Sequence, residues 1–145
     1  MSIRTATFAD LPLLVAFSGA LNALESISIT DAELDDGMRQ LLADPRLGVL
    51  FVIEDKGQSV GYALCAFSFD LEFRGMEAWL TEIFVVDDAR GRGLATAALE
   101  QIQLELRTRG VKALHLQVRP DNPALGLYER LGFARVPRLV MTRRL

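Results

Sequence analysis

The residues best suited to chemistry lie in one stretch, Ile83-Phe84-Val85-Val86-Asp87-Asp88-Ala89-Arg90-Gly91-Arg92-Gly93-Leu94-Ala95-Thr96. An apolar, partly β-branched run passes into a basic turn with two glycines, and a helical pattern follows. Such a turn aims successive N–H groups at one point, with the positive end of a helix dipole behind them. Gly91 and Gly93 let an anion approach the main chain closely, and Arg90 and Arg92 add positive charge. The chemistry this suits is pyrophosphate binding. A dinucleotide fingerprint would need three spaced glycines, and a nucleoside-triphosphate loop would need Gly-Lys followed by Ser or Thr; neither is present. Taken alone, the turn is also compatible with a plain strand–helix connection.

Few other side chains offer reactivity. Glu82 is the only carboxylate inside the strand that enters the turn, and alternation puts it on the face of Phe84, opposite Thr81 and Ile83. Tyr128 reads either as a proton donor or as a packed aromatic on a short helix. Asp121-Asn122-Pro123 has the composition of a turn. The single cysteine, Cys65, sits in the apolar run Tyr62 to Phe67 and reads as an inert core thiol; lacking a partner, it fits a reducing cytoplasm. The single histidine, His115, lies between Leu114 and Leu116 and reads as structural or outward-facing. With no Cys/His cluster, no metal site is expected.

Two segments carry a family resemblance. Arg90-Gly91-Arg92-Gly93-Leu94-Ala95 resembles the Gln/Arg-x-x-Gly-x-Gly/Ala signature of the GNAT superfamily of N-acetyltransferases. The run from Asn122 through Tyr128 to Gly132-Phe133 resembles the second block of that family, and the likeness is close from Leu80 to Phe133. It implies an α/β (α+β) fold with a mixed, mostly antiparallel sheet of six to seven strands and helices on both faces. Acetyl-CoA would be the acyl donor, and an amine would attack its thioester directly, without a metal. The main chain of Ile83, Phe84 and Val85 would bind the pantetheine, and the loop from Arg90 to Thr96 the pyrophosphate. The N–H of Val85 would stabilise the oxyanion. Tyr128 would be the general acid, and Glu82 the base through a water, unless it is only a surface charge or an ordered water serves instead. Two other positions where relatives carry a base fall on Thr81 and Gln117, neither of them basic. Asn122 would contact pantetheine, although the family spaces its asparagine seven residues before the tyrosine and Asn122 stands six before it.

The acceptor would lie against Ala20 to Ile29 and Phe67 to Trp79. The second segment mixes aromatics with Asp70 and Glu72 and resembles the corresponding loop of small-amine acetyltransferases. A small-molecule amine is the expected acceptor, with a protein N-terminus or lysine as the alternative. A non-catalytic acyl-CoA-binding regulatory module is the reading from another class. The same aromatic segment would also suit a homodimer contact.

The 145 residues fit one domain, spanning 1–145; 50% are apolar and 24% charged. A net charge of −3 argues against a general nucleic-acid binder, and no apolar stretch is long enough to span a membrane or serve as a signal peptide. Asp31, Glu33, Asp35 and Asp36 early on, and Arg135, Arg138, Arg143 and Arg144 at the end, read as solvated surface. The elements that must position the site follow from pattern. Strands are expected at 2–7, 49–54, 59–69, 78–86, 112–118 and 133–142. Asp10 and Pro12 open a first helix, Thr30 with Glu33 forms a capping box for a second that Pro45 ends, and a third runs from Gly93 to Arg109 with Gly110 as its stop. A short helix lies within 120–131.

Overall fold

The computed structural model describes residues 1–145. Strand β1 (Ser2–Thr5) leads through one turn of 3-10 helix to helix α1 (Leu11–Leu24) and helix α2 (Asp31–Ala43). A meander follows, β2 (Gly48–Asp55), β3 (Gln58–Asp70) and β4 (Gly75–Val85), then helix α3 (Leu94–Thr108), strand β5 (Ala113–Leu116) and helix α4 (Leu125–Arg130). Local chemistry sets these limits. Pro12 falls in the first turn of α1, where its missing N–H costs little. At α2 the Glu33 N–H donates to Thr30 Oγ1 at 3.2 Å and the Thr30 N–H to Glu33 Oε2 at 2.8 Å, which closes the expected capping box. Pro45 forces Asp44 into an extended conformation and ends that helix. Lys56 and Gly57, both left-handed, make the tight β2–β3 turn.

The sheet runs in the order β1-β2-β3-β4-β5. The first three pairings are antiparallel and only β4–β5 is parallel, because α3 crosses over between them. Helices cover both faces. On one, Leu99, Ile102 and Leu106 of α3 pack on Val49, Phe51, Ala63, Cys65, Ala78 and Leu80. On the other, Leu11, Leu14 and Phe17 of α1 and Met38 of α2 pack on Leu50, Val52, Tyr62 and Phe84.

The sheet has five strands, not the six to seven expected. The segment 133–142 forms none. Pro137 removes a donor from its middle, and the Arg138 N–H turns back to Val136 O at 2.8 Å, so extended pairing is broken. Leu139 and Met141 are left 92% and 91% exposed.

One irregularity governs the site. Along β4, Leu80 pairs with Cys65 and Glu82 with the preceding Leu64, so Thr81 is an extra residue, a β-bulge. Before it, Ala78 and Leu80 face α3; after it, Glu82 and Phe84 face α1. Glu77 and Trp79 therefore share a face with Glu82 despite their odd numbers.

Candidate active site

The basic turn is built as a cradle. Strand β4 ends at Val85, residues Asp87–Ala89 make one 3-10 turn, and Arg90 is extended. Gly91 and Gly93 both take φ of 73°, the left-handed region that glycine enters without steric cost. A Cβ on either would meet no atom within 4 Å, so the space in front of them is open. The Arg90 N–H donates to Asp87 O at 3.1 Å and the Ala97 N–H to Gly93 O at 3.0 Å. Between them, the six N–H groups from Gly91 to Thr96 have no protein acceptor. Helix α3 starts at Leu94, so these donors stand at its positive end. They surround a hollow of about 100 Å3 lined by Val85, Ala89 and the turn itself.

Both arginines brace this turn. Arg90 Nε donates to Val85 O at 2.8 Å, its guanidinium meets Asp87 at 2.7 Å, and it lies 5.5 Å over the Phe84 ring. Arg92 reaches Asp55 at 3.0 Å, at the end of β2. Their charge is thus partly matched by carboxylates, and the main-chain donors are the free groups.

Beside the cradle the sheet opens. The β4–β5 ladder runs only from Glu77/Ala113 to Leu80/Leu116, while β4 continues to Val85 paired with β3 alone. The Val86 N–H donates to Val60 O on β3 at 2.9 Å. Alternation then turns the N–H of Val85 and of Ile83 away from β3, into the gap, and the N–H of Phe84 towards β3. An extended ligand chain entering the gap would find strand-like partners on β4.

Glu82 is neither free nor a surface charge. Its carboxylate accepts from the Tyr62 hydroxyl and from Ser18 Oγ at 3.2 Å, and Asn22 Nδ2 donates to Ser18 Oγ at 3.2 Å. Tyr62 and Ser18 are fully buried between β3 and α1. Burial, then the neighbouring Glu82 charge, pushes the Tyr62 hydroxyl far above the usual phenol range, so it remains a donor. The sequence reading missed Ser18 and Asn22. Their signal was spacing: two polar residues four apart on the apolar stripe of Leu14, Phe17 and Leu21.

Tyr128 sits on α4, half-buried against the α3 side of the core and edge-on to Phe133 at 5.9 Å. Its hydroxyl has no protein partner and is not sealed from solvent, and burial raises its pKa. Asn122 Oδ1 accepts the Ala124 N–H at 2.8 Å and its own N–H donates to Arg119 O at 2.9 Å, so it builds the turn before α4. Thr81, on the bulge, donates only a 3.4 Å bond to Leu64 O. Gln117 and Tyr128 both line an open cleft of about 1010 Å3 around the outer edge of β5.

That cleft contains a second polar cluster. His115 Nε2 lies 2.6 Å from Glu77 Oε2, while Ser68 Oγ and Trp79 Nε1 donate to Glu77 Oε1 at 2.8 and 3.3 Å. Burial pushes the Glu77 carboxyl up, but the hydrogen bonds from Ser68, His115 and Trp79 outweigh it and hold it below the usual carboxylate value. The imidazole stacks at 4.7 Å on Trp79 and 5.1 Å from Phe73. No group of three metal-ligating side chains occurs, and no helix is long and apolar enough to cross a membrane.

Comparison with known proteins agrees with this geometry. A family model described as the acetyltransferase (GNAT) family matches residues 18–133. The chain is 35% identical over 116 residues, 79% of its length and 76% of the relative's, to an acetyltransferase of Pectobacterium atrosepticum. It is 33% identical over 82 residues, 57% of the chain and 52% of the relative, to a [ribosomal protein bS18]-alanine N-acetyltransferase of Haemophilus influenzae. Among solved structures, an integron cassette protein from the Cole Harbour salt-marsh metagenome superposes with a TM-score of 0.88 at 29% identity, over 99% of this chain and 90% of that one.

Proposed function

The chain belongs to the acetyltransferase (GNAT) family, and on that premise we propose that this acetyl-CoA-dependent N-acetyltransferase acts on a small-molecule primary amine by direct attack on the thioester. The observation that carries the reading is the run of unpartnered N–H groups from Gly91 to Thr96 beside the open β4–β5 gap. The diphosphate of the donor takes those amides, a strong arrangement because oxyanion and donors are both charged or dipolar. The pantetheine arm lies along Ile83, Phe84 and Val85 as an added strand. The thioester carbonyl, a pantetheine's length from the diphosphate, then receives the gap-facing N–H of Ile83 rather than that of Val85, which lines the cradle itself; that donor stabilises the negative charge of the tetrahedral intermediate.

Tyr128 donates its proton to the departing thiolate. Glu82, fixed by Tyr62 and Ser18, faces the acceptor side and passes the ammonium's proton away through a water. A cationic amine suits the cleft because Asp70, which no arginine pairs, and Glu77 lie there with Phe73 and Trp79, offering charge and ring faces together, while Glu72 is matched by Arg138. The similarity to the ribosomal-protein acetyltransferase favours a second reading, in which the acceptor is a protein α-amine.

The test is free-thiol release from acetyl-CoA with an aliphatic diamine, an aromatic monoamine and an alanine-leading peptide. The small amines should turn over faster than the peptide. Preference for the peptide would replace the first reading with the second, and absence of release with every amine would overturn both.

A further inference from the structure

Two protons must leave the attacking ammonium before the amide is complete, and the Glu82 carboxylate is already engaged by the Tyr62 and Ser18 hydroxyls. We infer that the His115–Glu77 pair is a second basic centre of this site, with His115 taking the proton from the acceptor ammonium and Glu77 positioning its ring. The inference rests on the transfer reading above and adds a residue to it.

The geometry is that of a carboxylate-held general base. Glu77 is 7% exposed and accepts from Ser68, Trp79 and His115, so its orientation is fixed on three sides. An ionised Glu77 accepts only, which requires the proton of neutral His115 to be on Nε2. The lone pair then sits on Nδ1. That atom has no protein partner and, since no unpaired polar atom of the protein is buried, it is open to the cleft. A carboxylate on one ring nitrogen fixes the tautomer, supports the imidazolium that forms and leaves the other nitrogen to act.

Its place in the sheet is equally specific. Trp79/His115 is the pair next to Leu80/Leu116, the last before the strands part. Glu77, Trp79, His115 and Glu82 share the face away from α3, while Tyr128 packs on the α3 side. A thioester held by the Ile83 N–H, just past the point where the strands part, would thus have its proton acceptor on one face of the sheet, one water away, and its proton donor on the other. The aromatic rings of Trp79 and Phe73 bring the ammonium to the imidazole.

The proton balance closes. R–NH3+ gives one proton to Nδ1 through a water, the nitrogen lone pair forms the C–N bond, and the C–S bond breaks as the thiolate takes the Tyr128 proton. The second nitrogen proton leaves by way of Glu82 and water and reprotonates Tyr128, and His115 returns its own to water. Glu72 and Glu129, paired with Arg138 and Arg135, and the unpaired Asp70 are the other charged groups lining the cleft.

His115 is the only histidine, so its ring signals in an NMR spectrum are unambiguous. The ring should show the Nε2–H tautomer in the wild type and lose it in Glu77→Gln. With the amine that the wild type acetylates fastest, His115→Gln should lower kcat/KM at neutral pH by about 10²-fold or more, the scale of general-base catalysis. The loss should shrink as pH rises towards the amine's own pKa, where the acceptor arrives deprotonated. Thermal stabilisation by acetyl-CoA should be unchanged, which shows that the variant folds and keeps the cradle. Activity within threefold of wild type, an equal loss at every pH, or an Nδ1–H tautomer overturns the inference and leaves the transfer reading standing. Failure of the wild type to acetylate any amine removes both.

Discussion

A phenol serves as an acid to a thiolate only if it stays protonated at working pH and its hydroxyl is not committed elsewhere. Tyr128 meets both conditions: burial raises its pKa and its hydroxyl has no protein partner. Its ring meets Phe133 edge-on, and phenylalanine would keep that contact. Tyr128→Phe should therefore lower kcat by about 10²-fold, within the usual range for a lost proton donor, and leave acetyl-CoA binding intact. Parallel measurement of turnover and of the thermal shift with acetyl-CoA checks it; losses of equal size in both would mean that Tyr128 holds the donor rather than protonating it. Tyr62, the only other tyrosine, cannot take over, because it is fully buried and bound to Glu82.

The elements that hold these side chains differ in how plainly the sequence announces them. The cradle was legible because its requirements are backbone requirements: two left-handed positions where Gly91 and Gly93 stand, and a helix start straight after. Thr30 with Glu33, Pro12 and Pro45 marked helix limits for the same local reasons. The bulge at Thr81 was not legible, since no side chain there demands it; it arises from how β4 registers on β3. Alternation still put Glu82 with Phe84, but it could not bring Glu77 and Trp79 to that face, so the His115 cluster stayed hidden. The 133–142 segment failed as a strand because a pattern of apolar residues is not pairing, and Pro137 stands in its middle. Beyond the bulge, at the end of the β3–β4 ladder, Gly61 packs closely against the β4 backbone. A Cβ there would stand 2.1 Å from Phe84 O, a backbone atom with no freedom to swing aside. Gly61→Ala should cost about 1–3 kcal/mol of stability, the usual range for overpacking. It should also displace β4 at Phe84 and Val85 and so raise the KM for acetyl-CoA. Denaturant unfolding and steady-state kinetics together test this; a fully stable variant with unchanged KM would show that the strand pair is loose.

At the scale of the whole molecule, the α3 face of the sheet carries the proposed donor site at its edge while its centre is sealed. Cys65 lies in that centre, fully buried among Phe51, Ala63, Ala78 and Leu99, and burial pushes its thiol up to about 12. Alkylation needs an exposed thiolate, so the folded state should be inert and labelling should report opening of the core. In the proposed binding mode acetyl-CoA would occupy the cradle at the start of α3, whose Leu94 and Ala98 pack on Ile53, Val60 and Val85, while Leu99 packs in the Cys65 cluster. Ligand binding at one end of this helix must then stabilise the core it covers. At a concentration about 100 times Kd, linkage contributes about 2.7 kcal/mol, or roughly a hundredfold fewer open molecules. Iodoacetamide labelling of Cys65, followed by mass spectrometry, should slow by that factor when labelling is limited by the open population. If the rate were fast and indifferent to acetyl-CoA, the region around Cys65 would open without releasing the donor, and the coupling through α3 would be wrong.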